Sequence, residues 1–154
     1  MRTAAAVRPA ETADIDRIVA LEAEAFPLDP WSPRLVAEGV EGTLPTVAVL
    51  AAEVADRFAG YAVVSVVAPD AELQRIAVVP ELRRSGVAGA LLGAVVAHCV
   101  ALLVDRLILE VREDNEAAIA FYARHDFTEL GRRARYYRDG TTALVLSAPV
   151  TMAP

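Results

Sequence analysis

Apolar residues along this chain follow two rhythms, and the changes between them mark out its elements. Thr46 to Ala52 and Phe58 to Val67 are runs rich in valine and alanine. They are interrupted near Ala55-Asp56-Arg57, which predicts an antiparallel pair of strands. Upstream, Ile15, Ile18, Val19 and Ala25 recur at helical spacing. Thr12 is placed to cap that helix, with Asp14 and Asp16 in its first turn. Phe26-Pro27-Leu28-Asp29-Pro30-Trp31 breaks it, and Ser32-Pro33 starts another, serine as cap and proline at the first helical position. Val7 to Pro9 predicts an edge strand. Glu72 to Val79 predicts a strand, Val87 to about Val104 a helix, and Arg106 to Val111 a strand. Asn115 to about His125 predicts a short helix, and Phe127 to Arg132 and Thr141 to Ser147 the closing strands. The order implies an α/β fold with a central mixed β-sheet flanked by helices. Without a repeat or linker, residues 1–154 read as a single domain with loose termini at 1–6 and 149–154.

Composition sharpens this picture at three points. Hydrophobic residues are 55% of the 154, which excludes a disordered chain. The apolar stretch Val87 to Val104 approaches the length of a membrane span, but it holds His98, Gly89 and Gly93 and lies between two strands. A buried helix is the expectation, with no membrane association. No signal segment is evident, and Cys99 is alone, so a cytoplasmic location is expected. The net charge of -6 argues against direct nucleic-acid binding. It leaves room for an anionic ligand held by local arginines, because screening confines each charge to about 10 Å. It also favours a cationic acceptor.

Two strings carry candidate chemistry. In the first, the strand through Ile76-Ala77-Val78 leads into Arg83-Arg84-Ser85-Gly86-Val87-Ala88-Gly89 and then a helix. A helix start presents unpaired N–H groups and the positive end of the helix dipole, and so holds anions. Gly86 admits a bulky anion to the backbone, and Arg83 and Arg84 add charge. Read alone, this is an ordinary turn with solvated arginines; read with the rest, it is a pyrophosphate cradle. The second string is Leu109-Glu110-Val111-Arg112 followed by Asn115 and Tyr122. Taken singly, Glu110 is a glutamate on a strand's polar face, Asn115 a helix cap and Tyr122 core packing.

The first string resembles the acetyl-CoA motif of the GNAT superfamily of N-acetyltransferases, with Ala88 in place of the usual second glycine. A wider set of motifs resembles the bacterial ribosomal-protein-alanine N-acetyltransferases (RimI-type). It comprises Glu24-Ala25-Phe26-Pro27, Pro30-Trp31-Ser32, the Ile76 to Gly86 segment, Leu109-Glu110-Val111-Arg112 with Asn115, Ala120-Phe121-Tyr122, and Arg135-Tyr136-Tyr137. The resemblance spans about Val7 to Leu146. It implies a GNAT fold and acetyl-CoA as co-substrate, with Ile76 to Val78, Arg83 to Gly89 and Asn115 at the cofactor. It further implies Glu110 as general base, Tyr122 as general acid, and a protein N-terminus, a ribosomal one by resemblance, as acceptor. Phe26, Trp31, Tyr136 and Tyr137 are expected to line the peptide channel. Glu72, on the strand that carries Val78, is also placed at the substrate and is the rival base. One departure is Asp126, where the family has glycine before a phenylalanine, here Phe127.

The chemistry is direct attack of an amine on a thioester, with both reactants held on one sheet. An α-amine of pKa near 7.8 is roughly a tenth neutral at pH 7, whereas a lysine needs roughly 3 kcal/mol more to deprotonate. A carboxylate, acting directly or through water, suffices as base. Backbone N–H groups near Val78 are expected to face the oxyanion. His98, Cys99 and His125 form no ligand set, so no metal is expected. The competing functions are acetylation of a small amine or antibiotic, and a non-catalytic acyl-CoA-binding module.

Overall fold

The computed structural model describes residues 4–150. Seven strands form one sheet: β1 (Ala6–Pro9), β2 (Val47–Val54), β3 (Arg57–Val67), β4 (Asp70–Val78), β5 (Arg106–Arg112), β6 (Thr128–Arg133) and β7 (Ala143–Pro149). Their spatial order is β1-β2-β3-β4-β5-β7-β6. Every neighbouring pair is antiparallel except β4 and β5, which run parallel. The helices are α1 (Ile15–Ala25), α2 (Pro33–Glu41), α3 (Val87–Ala101) and α4 (Glu116–Ala123). α3 makes the crossover that a parallel pair requires.

Each face of the sheet carries its own core. On one face α1 and α2 pack Ile18, Leu21 and Val36 against Val49, Tyr61, Val63 and Ala77. On the other, α3 and α4 pack Leu91, Leu92, Val95, Cys99 and Tyr122 against Val64, Leu73, Leu107, Leu109 and Leu146. The long apolar run of α3 needs no membrane: its buried side is Val and Leu, and its outer side is small, with Gly93, Ala97 and Ala101 exposed. No helix among the described residues is long and apolar enough to cross a bilayer.

Two features of β4 position the site. Opposite β3, Val63 pairs with Arg75 and Val64 with Leu73, so Gln74 is an extra residue, a β-bulge. The bulge reverses the alternation. Ala71 and Leu73 face α3, yet Arg75 and Ala77 face α1, and Ile76 and Val78 take the α3 side. The pairing with β5 also ends there. Asp70 to Leu73 pair with Arg106 to Leu109, after which β4 stays with β3 and β5 stays with β7. The sheet therefore splits into two wings just beyond the bulge.

Several expected boundaries move. Thr12 does not cap α1: it sits in a short 3-10 turn (Thr12–Asp14) closed by a capping box between Glu11 and Asp14. Ser32 caps α2 as expected, its hydroxyl accepting from the Leu35 N–H at 3.1 Å. α3 ends at Ala101 rather than near Val104, because the chain turns through Leu103 at φ 61°. Of the loose ends expected at 1–6 and 149–154, Ala6 pairs with Glu53, and Pro149 pairs with Arg106. Residues 1–3 and 151–154 lie outside the described residues.

Candidate active site

The split between β4 and β5 opens a cavity of about 210 Å³. Leu73, Ile76, Leu109, Val111, Ala118 and Tyr122 line it from the α3–α4 side of the sheet. Phe26, Asp29, Arg75, Glu110, Arg112 and Tyr137 are also among the lining residues. Since Glu110 alternates with Leu109 and Val111 along β5, its side chain lies on the opposite face from theirs. The cavity thus passes through the sheet. Backbone groups on the β5-facing edge of β4 lose their strand partner beyond Leu73, so the Gln74–Ile76 edge opens into it. Val78 is not among the lining residues, and Val79 donates to Ala59 O at 2.9 Å, so Gln74–Ile76 is the part of this edge that reaches the cavity.

Glu72 and Glu110 share a face. Glu72 pairs with Ile108 across the parallel ladder, and residues 108 and 110 point the same way. Only Glu110 of the two lines the cavity. It is largely buried and pairs with Arg133 Nε at 3.2 Å, and the nearby Glu110 carboxylate pushes the pKa of the Tyr136 phenol upward. Glu72 reaches solvent, but desolvation by its surroundings and the like charge of Glu110 raise its pKa. Tyr137 lines the opening, and burial pushes its pKa up to about 12. Arg112 holds this loop by stacking 4.9 Å from the Tyr137 ring and donating to Thr141 Oγ1 at 2.8 Å and to Asp139. Asp139 is lowered to about 2, mainly by that guanidinium.

On the other side, Tyr122 is packed edge-on between Phe121 and Phe127, at 5.3 Å from each. Burial raises its pKa, which keeps the phenol protonated. Its hydroxyl makes no hydrogen bond among the described residues and is not sealed off, so it faces the cavity. Asn115 caps α4 by accepting from Ala118 N–H at 3.2 Å and also lines the cavity. Asp126 takes the left-handed conformation at φ 68°, in the place where the family has glycine.

The Arg83–Gly89 segment turns into α3 and leaves the first N–H groups of that helix without backbone partners. Gly86 caps α3 at φ 92°, Arg84 is also left-handed at φ 62°, and Ser85 donates to Leu82 O. The first α3 backbone bond runs from Ala90 N–H to Gly86 O at 3.0 Å, which leaves the N–H groups of Val87, Ala88 and Gly89 to point outward. A Cβ at Gly86 or Gly89 would meet no protein atom within 4 Å, so the space before these residues is free. The side chains of Val87 and Ala77 are buried in the core, and only their backbones can serve a ligand.

Trp31 is not among the residues that line the cavity; it packs against the α1–α2 core, and its backbone N–H donates to Glu22 Oε2 at 2.6 Å. Glu22 and Arg75 were not foreseen at all. Glu22 is 1% exposed and also accepts from Tyr61 and from Arg75 Nε at 3.2 Å. The one sequence signal was the polar doublet Gln74-Arg75 inside an apolar strand, which breaks the period of two and marks the bulge.

The model of the Acetyltransferase (GNAT) family matches residues 15–127. A Bacillus subtilis protein provisionally named a ribosomal protein bS18-alanine N-acetyltransferase is 34% identical over 148 residues, covering 95% of this chain and 96% of its own. The crystal structure of the ribosomal-protein-S18-alanine N-acetyltransferase from Escherichia coli superposes with a TM-score of 0.83 at 31% identity, over 98% of this chain and 97% of that one. Arabidopsis thaliana NAA60 in complex with acetyl-CoA shares the fold, with a TM-score of 0.85 at 18% identity over 96% and 99% of the two chains.

Proposed function

This chain belongs to the GNAT acetyltransferase family, and from that premise we propose that it transfers an acetyl group from acetyl-CoA to the α-amine of a protein N-terminus. The relatives named for ribosomal protein bS18 make that protein the first candidate acceptor. The observation that carries the reading is the opening through the sheet, with Glu110 on one face and Tyr122 on the other. Two reactants entering from opposite faces meet inside it, which supplies proximity and orientation.

Acetyl-CoA supplies the activated acyl group, with its pyrophosphate at the Arg83–Gly89 cradle and its thioester in the split. The freed β4 edge at the bulge offers N–H donors to the carbonyl oxygen as negative charge develops there. Glu110 removes the proton from the attacking amine, directly or through water. Tyr122, held protonated by burial, gives its proton to the departing sulfur. The new bond is the amide C–N, and the bond broken is C–S. Glu72 lies on the acceptor face outside the opening, where its negative charge favours an incoming ammonium group.

Acetylation of a peptide library varied at its first three residues, run beside a panel of small amines, tests this. Transfer to peptide α-amines, located by mass spectrometry, is the expected result. Turnover confined to small amines would replace the acceptor assignment, and tight acetyl-CoA binding without turnover would remove the catalytic one.

A further inference from the structure

Resting on that reading of the acceptor face, we propose that Arg75 is a positioning residue that fastens the Phe26–Trp31 loop over the opening and thereby sets the affinity for the acceptor. The bulge at Gln74 turns Arg75 away from the α3 face and toward α1. From there its guanidinium makes four distinct contacts. Nε pairs with the buried Glu22 carboxylate at 3.2 Å, and Nη2 donates to Asp29 O at 2.7 Å. Its Cζ lies 4.3 Å from the Phe26 ring centroid and 5.8 Å from that of Trp31. Glu22 in turn accepts from Trp31 N–H at 2.6 Å and from Tyr61.

A simple ion pair would explain the contact with Glu22 and nothing more. Here one planar group grips the loop at its start, middle and end, at Phe26, Asp29 and, through Glu22, Trp31. Phe26 and Asp29 line the cavity together with Arg75 itself. The loop carries two prolines, Pro27 and Pro30, which lack N–H donors, so it cannot be held by backbone pairing alone. The grip therefore falls to side chains, and a guanidinium offers a forked set of donors and a stacking face at once. A lysine keeps the charge but not the fork.

The test is steady-state acetylation of an N-terminal peptide by the wild type, Arg75→Lys and the double variant Glu22→Gln/Arg75→Met, with acetyl-CoA affinity measured in parallel. The double variant removes both charges, so no buried carboxylate is left unpaired. We expect KM for the peptide to rise about tenfold or more in both variants, kcat to change less than threefold, and acetyl-CoA affinity to stay within twofold. Trp31 is the one tryptophan in the chain, and its emission should shift to the red in the double variant as the loop detaches. An unmoved peptide KM and an unmoved emission maximum, with wild-type turnover intact, would overturn the clamp alone. A wild-type enzyme that binds acetyl-CoA but acetylates no peptide would overturn the acceptor reading, and the clamp with it.

Discussion

Glu72 and Glu110 differ less in chemistry than in what surrounds them. Both are carboxylates on one face, but only Glu110 lines the opening and carries a direct partner in Arg133. Glu110→Gln should therefore cut peptide turnover about a hundredfold or more, the usual scale for a general base, and Glu72→Gln far less. Initial rates at saturating acetyl-CoA decide it, and the reverse ranking would move the base to β4. Glu72 makes a second, thermodynamic prediction. Its folded-state pKa is raised, so the folded protein binds that proton more tightly than the unfolded chain does. The favourable contribution is full below the ordinary glutamate range near 4.3 and is lost as pH rises through the folded value. At pH 7 the ionised Glu72 therefore costs stability, and Glu72→Gln should melt above the wild type there. That gap should close as the pH approaches 4; a constant gap in thermal melts would contradict the assignment. At this scale the legible residues were those in continuous strings, such as Glu110, Asn115 and Tyr122. Glu22 and Arg75 were not legible, because each looks like a solvent-facing charge on its own element. They meet only when α1, β3 and β4 are brought together.

At the scale of elements, the strands and helices followed from periodicity, whereas the bulge and the split followed from pairing that no single segment encodes. The parallel pair β4–β5 could be inferred from the helix between them, but not the point at which it stops, since that depends on Gln74 shifting the β3 register. Two glycines show how differently one residue type can be required. A methyl at Gly60 would collide with the carbonyl oxygen of Ala77 on β4, a backbone atom that cannot swing aside. Gly86 has open space around it and is required for its φ of 92°. Gly60→Ala should lower stability by about 1–3 kcal/mol, the range for overpacking a tight site, read as a lower urea midpoint. Gly86→Val should act mainly at the ligand. A β-branched residue resists positive φ, so the cradle should re-form with its N–H groups misdirected, and acetyl-CoA affinity measured calorimetrically should fall tenfold or more. Unchanged affinity in a folded Gly86→Val protein would remove the cradle.

The molecule as a whole is two sheet wings joined along a short stretch of parallel pairing. One wing holds β1 to β4 with α1 and α2, the other holds β5 to β7, and Asp70–Leu73 with Arg106–Leu109 is the seam. Beyond the seam the edges of β4 and β5 lack one another as partners, and α3 and α4 bridge the wings from one face. A ligand in the split would restore what the sheet gives up there, since an extended amide-bearing chain can pair with a free strand edge. Acetyl-CoA should therefore stabilise the whole fold by mass action, by about 2.7 kcal/mol at a hundredfold excess over its Kd. For a chain of this size that corresponds to a rise in Tm of roughly 5–10 °C. The gain should also have a location. Amide hydrogen exchange should slow at Gln74–Val78 and Glu110–Arg112, the strand ends outside the seam, and at Val87–Gly89, where N–H groups are free. It should change little at Asp70–Leu73, which are already paired on both sides. A uniform slowing across the sheet would mean that the ligand stabilises the fold without entering the split, and the opening would lose its role as the place where the two reactants meet.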